Sequence, residues 1–107
     1  MSMVHVKLTD YCPGGWGISD KGNTVKLCTI LRRGITSGTV SISLSGMKFT
    51  GSQLLNETIG VLVGEMGEET VRRYVKFPDA DEFDQKLIDT VLTNATEYFK
   101  KQALEAL

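Results

Sequence analysis

This sequence has almost nothing with which to build a metal centre or a disulfide scaffold. It holds 2 cysteines, Cys12 and Cys28, and a single histidine, His5. A four-ligand zinc site would need carboxylates to complete it. Cys12 falls in a Gly/Pro turn and Cys28 in an apolar helical pattern, and both read as free thiols of a reducing compartment, where disulfides are rare. An excess of one charge is missing too. The 12 basic and 13 acidic residues leave a net charge of −1, which argues against a dedicated nucleic-acid-binding domain. No apolar run reaches the roughly 18 residues of a bilayer span. The opening MSMVHVKLTD lacks the basic flank and long apolar run of a signal peptide. The expected setting is therefore the cytoplasm, with no membrane partner. The glycines form neither GxGxxG nor a Walker pattern. No Ser-His-Asp set or carboxylate pair in a cleft pattern is present, so the chain is expected to be no enzyme and to need no cofactor.

What is present suits one compact domain over 1–107, with 41% hydrophobic and 23% charged residues. MVHVKL, 3–8, alternates as a strand with Val4, Val6 and Leu8 inward and His5 outward. Residues 9–23 are rich in Gly and small polar residues and read as a long loop carrying the only tryptophan, Trp16. Trp16 is either a lid over the core or a binding anchor, since tryptophan is enriched at interface hot spots. A short helix follows over 23–34, with Asn23 as cap, an apolar face of Val25, Cys28, Ile30 and Leu31, and Gly34 as terminator. Arg32 and Arg33 then fall in its last turn and favour the helix dipole. ITSGTVSISLS, 35–45, is the clearest strand, Val40, Ile42 and Leu44 alternating with serines. From Ser52, a helical pattern places Leu54, Leu55, Thr58, Ile59, Leu62 and Val63 on one face; Gly60 suits close packing against a strand, and Gly64 and Gly67 mark the exit.

Residues 68–73 add a helical turn, and YVKF, 74–77, a short strand ended by Pro78. The last helix, capped by Asp79 or Asp81, carries a core stripe of Phe83, Leu87, Ile88, Val91, Leu92, Ala95 and Phe99, with the stretch 96–107 free to dock or fray. Strands alternating with helices make this an α/β layer with at least one parallel crossover.

The junction MKFTGSQLLN, 47–56, raises the functional question. A serine before an apolar helical face is a natural N-cap, with Thr50 able to share that role. The same place would also suit a phosphate, because a helix N-terminus favours anions. Structural capping and a displayed, modifiable hydroxyl both remain open on the residues alone. Asn56, one turn in, either bonds the loop carbonyls or faces a partner.

The run VSISLSGMKFTGSQLLNETIGVLV resembles the central strand-loop-helix of STAS domains, and is closer still to a small STAS-like family of unknown function found in bacteria and mobile elements. Ser52, Leu54, Leu55, Asn56 and Glu57 stand at the matching positions, and VRRYVKFPDADEFDQKLIDTVL follows in the same order. The resemblance implies a small mixed sheet of about four strands with helices packed against it. In the related anti-sigma factor antagonists, a serine at this helix start is phosphorylated by a histidine-kinase-type ATPase, and the phosphate breaks their complex. Carried over by position, Ser52 is the candidate phosphoacceptor. Gly51 stands where those proteins usually have Asp, and Gln53-Leu54 where they have Ser-Gly.

The resulting expectation is a regulatory interaction module that docks an ATPase or anti-sigma factor through Thr50, Gly51, Ser52, Gln53, Asn56 and Trp16, with a homodimer left open. Two alternatives stand beside it. One is a small-ligand or nucleotide-binding domain using the Trp16 loop and the helix N-terminus at Ser52. The other is a phage or mobile-element inhibitor on the same fold.

Overall fold

The computed structural model describes residues 2–18 and 20–106. Its strands are β1 (Ser2–Lys7), β2 (Trp16–Gly17), β3 (Gly38–Ser43), β4 (Phe49–Thr50) and β5 (Val75–Lys76). Its helices are α1 (Lys21–Ser37), α2 (Ser52–Leu55), α3 (Val61–Met66), α4 (Glu68–Tyr74) and α5 (Glu82–Glu105). A π-helical turn, Asn56–Gly60, joins α2 to α3 without leaving helical backbone angles. The fold is thus mixed α/β. Among the described residues the strands divide into a three-stranded sheet, ordered β1-β3-β5, and a two-stranded ribbon of β2 and β4. All three pairings are parallel.

The register explains which sheet face is covered. Val4 lies opposite Val40 and Val6 opposite Ile42, and these side chains meet the helices. His5 and Lys7 lie opposite Ser41 and Ser43 on a face of polar side chains that tolerates water. Beneath the covered face, Leu27, Leu31, Leu54, Ile59 and Leu62 are almost wholly buried. All six apolar-face positions expected for the helical run from Ser52 belong to this interior.

Helix α1 departs from expectation at both ends. Asp20, not Asn23, caps it, accepting the Asn23 N–H on Oδ1 at 3.2 Å. The helix then continues through Gly34 to Ser37. Gly34 is not a terminator: a Cβ there would collide with the Val40 side chain, so its missing side chain lets α1 lie on β3. The hydroxyls of Thr36 and Ser37 bond back to the carbonyls of Arg32 and Arg33 at 2.9 and 2.8 Å. The buried face is Thr24, Leu27, Cys28, Leu31 and Gly34, with Val25 exposed. Arg32 is therefore not in the last turn; its guanidinium grips Glu65 of α3 through two bonds of 2.7 and 2.8 Å.

Three further corrections concern glycines and aromatics. Gly64 lies within α3 and gives room to the Phe99 ring, and the exit is left to Gly67, whose φ is 91°. Gly60 faces Ala95 of α5, not a strand. Phe83, counted in the core stripe, is 73% exposed, because the first turn of α5 borders the segment 47–50 at the surface and not the core. Tyr74 ends α4, so β5 is shorter than the expected 74–77 strand. Asp81 caps α5, accepting the Asp84 N–H at 2.8 Å. Asp79 serves elsewhere: its carboxylate accepts the Ser43 hydroxyl at 2.6 Å and the Leu44 N–H at 2.8 Å. These two bonds hold it below the usual carboxylate range.

Candidate functional site

The stretch 9–23 is not one loop. Leu8–Asp10 and Pro13–Gly15 form 3-10 turns, Trp16–Gly17 is a strand, and α1 has begun by Lys21. In β2, Trp16 stands opposite Phe49 and Gly17 opposite Thr50. Flanking bonds lock the ribbon: Lys48 N–H donates to the Gly15 carbonyl at 2.8 Å and Gly51 N–H to the Gly17 carbonyl at 3.3 Å. A Cβ on Gly51 would sit 2.7 Å from that Gly17 oxygen, closer than a side-chain carbon and an oxygen tolerate. Glycine at this position is therefore required for the close approach of the two strands.

The ribbon carries Trp16 outward. It does not act as a lid over the core. Trp16 is 51% exposed, Phe49 54% and Ile18 66%. The Trp16 and Phe49 rings lie 6.4 Å apart, tilted by 46°, a favourable spacing for an aromatic pair. Large apolar side chains gathered and left in water are the informative kind of exposure.

Ser52 is the first residue of α2, and it does not cap it. Gly51 occupies the N-cap position with extended angles, and no side chain caps the helix. Helices α1 and α5 differ: each begins on an aspartate whose carboxylate accepts a backbone N–H. The capping reading of Ser52, and of Thr50 sharing it, is thus corrected. The Ser52 side chain is exposed and has no hydrogen-bond partner among the described residues. Ser52 and Gln53 border a groove of about 250 Å³ with Gly17, Ile18 and Phe49. On the other side of Phe49 lies a second groove of the same size, shared by Thr50, Lys48, Phe83, Asp81 and Asp84. Burial, and then the neighbouring Asp81 and Asp79 charges, raise the Asp84 carboxyl above its usual range.

The fold therefore brings together five of the six expected site residues, Trp16, Thr50, Gly51, Ser52 and Gln53. Asn56 is set apart, in a different groove against α5. Sequence reasoning missed Ile18, Phe49 and Phe83. The isolated apolar residues of the 9–23 stretch and of MKFTG, unsupported by any periodicity, were the available signal. Elsewhere the chemistry is quiet. Both cysteines are free and buried, and burial pushes both thiols up; for Cys28, Arg32 partly offsets this while Glu65 and Glu57 add to it. Among the described residues, no three His, Cys, Asp or Glu side chains gather as a metal site, and no helix is long and apolar enough to cross a membrane.

No family model, curated protein or solved structure matches this chain.

Proposed function

We propose that this chain is a STAS-like, non-enzymatic regulatory module of the cytoplasm. Its three-stranded sheet and its ribbon together take the place of the four-strand sheet of that family. It docks a protein partner, a histidine-kinase-type ATPase or an anti-sigma factor, through the β2–β4 ribbon and the start of α2, and phosphorylation of Ser52 releases that partner. One observation carries the reading: at an uncapped helix start, Ser52 presents a hydroxyl that has no partner among the described residues, in a groove it shares with the exposed Ile18 and Phe49, the latter paired with the exposed Trp16. A phosphate on that hydroxyl would bring about −1.5 to −2 charges at pH 7 onto an apolar contact surface, which penalises binding.

The test is to incubate the purified chain with ATP and candidate ATPases of that class encoded in the same genome, measure complex formation, and map phosphate by mass spectrometry. Wild type should bind, become phosphorylated at Ser52 and dissociate. Ser52→Ala should bind and stay bound. A Ser52→Ala protein that releases its partner as wild type does would remove the switch. Unchanged binding by Trp16→Ala and Phe49→Ala would remove the docking surface.

A further inference from the structure

The apolar face that starts at Ser52 has an unusual spacing. Its residues recur four apart, as Leu54, Thr58 and Leu62 and as Leu55, Ile59 and Val63, and all six are buried. A straight α-helix turns by about 100° per residue, so Leu62 would lie about 80° round from Leu54 and the six would spread over about half the circumference. The π-helical turn Asn56–Gly60 stands between them. Such a turn takes one residue out of the helical count. Leu62 then stands to Leu54 as i+7, within about 20° of it, and one stripe can face the core.

Two buried side chains attend this turn. Where the ladder passes from i+4 to i+5 and back, a carbonyl is left short of a helical donor. The Cys28 thiol of α1 donates there, to the Glu57 carbonyl at 3.3 Å, with the Thr58 carbonyl at 3.8 Å. The Thr58 hydroxyl, 1% exposed, donates back to the carbonyls of Leu54 at 2.9 Å and Leu55 at 3.4 Å, a contact that bends helices. On the N-terminal side of the turn, α2 is a single turn of helix from Ser52 to Leu55. Were the π-turn to relax to α-helix with Leu62 and Val63 kept in the core, that end would rotate by about 100° and move about 1.5 Å along the axis. Ser52 and Gln53 would leave the groove they border with Gly17, Ile18 and Phe49.

We infer that the π-turn is a register lock for the Ser52 end of the helix, and that Cys28 and Thr58 are the positioning residues that hold it. The lock decides whether Ser52 and Gln53 are presented beside the ribbon. Its consequence for docking rests on the reading proposed above; its geometry does not.

Amide NMR on isotope-labelled protein reads the lock without a partner. Cys28→Ala and Thr58→Val should shift the Gly51, Ser52 and Gln53 amides. They should also speed exchange at the Leu55 amide, which bonds the Gly51 carbonyl, by about two- to fivefold, the worth of a weak hydrogen bond. The Ile42 and Leu92 amides should stay as in wild type. Cys28→Ser and Thr58→Ser, which keep the donor, should restore the wild-type signals. Removing Glu57, an exposed residue of the turn, should leave an unbroken α-helix with Ser52 in place, and in that chain Cys28→Ala and Thr58→Val should no longer move residues 51–53. The inference falls if the two variants leave residues 51–55 unchanged, if they shift Ile42 and Leu92 equally, if the serine variants behave like them, or if the chain lacking Glu57 does not fold or still responds to them. A wild-type chain that binds no ATPase removes the docking reading and leaves these signals as they are.

Discussion

The three-stranded sheet and the two-stranded ribbon are built from the same parallel geometry and do opposite things with it. In the sheet, β1 and β3 pair along six residues, and side chains such as Val40 and Ile42 vanish into the core. In the ribbon only two residue pairs form, and the side chains they carry, Trp16 and Phe49, stay in water. Both depend on a glycine at a close approach, Gly34 under Val40 and Gly51 beside Gly17. The contrast teaches that backbone pairing by itself says little about stability. Burial decides that, and the ribbon spends its apolar surface on display.

That contrast can be broken from either side. The largest effect is expected in the core: Leu31→Ala, at a wholly buried position, should cost about 2–5 kcal/mol, read as a lower denaturant midpoint. Gly34→Ala should follow at about 1–3 kcal/mol from overpacking against Val40; a neutral result would mean that α1 and β3 can slide apart. The ribbon should answer differently. Trp16→Ala combined with Phe49→Ala should cost about 0.5–1.5 kcal/mol, the worth of an aromatic pair, while lowering partner affinity at least tenfold in the binding assay; a stability loss as large as that of Leu31→Ala would make the ribbon structural. The smallest effect concerns Asp79. Its folded-state pKa is depressed by the Ser43 and Leu44 bonds. The stability it contributes is present above its unfolded pKa, near the ordinary 3.8, and is lost as pH falls through the folded value. Asp79→Asn should therefore flatten the acid end of a stability-against-pH curve and leave the neutral region lower by about 0.5 kcal/mol.

Much of the interior could be read in advance because it is periodic. The alternation of Val40, Ile42 and Leu44, the face from Leu54 to Val63, and the stripe from Leu87 to Ala95 each repeat with the period of their element, and burial followed. What could not be read is where a glycine or an aromatic departs from the ordinary use of its type. Gly34 looks like a helix stop because glycine commonly ends helices, and a close helix-strand contact leaves the same mark in a sequence. Phe83 fits the helical spacing of the stripe, but spacing cannot show that α5 starts beyond the core. The ribbon has two residues per strand, too few for any period, and exists only because the two segments meet in space. The candidate site was half legible for that reason. Ser52, Gln53 and Trp16 could be singled out one by one, and their gathering around Phe49, with Asn56 turned to another groove, is a tertiary fact.

The parallel pairings also bear on how the molecule comes to be. Ser2 meets Gly38, Trp16 meets Phe49, and Val40 meets Val75, each closing a loop of about 35 residues at a similar entropic cost. Without a local hairpin to start from, strand pairing must wait until the helices have drawn distant segments together, a topology that slows folding. The surface around Ser52 is therefore absent from a nascent or partly folded chain. A partner that docks there, as proposed above, would bind the folded chain and pass over the unfolded one.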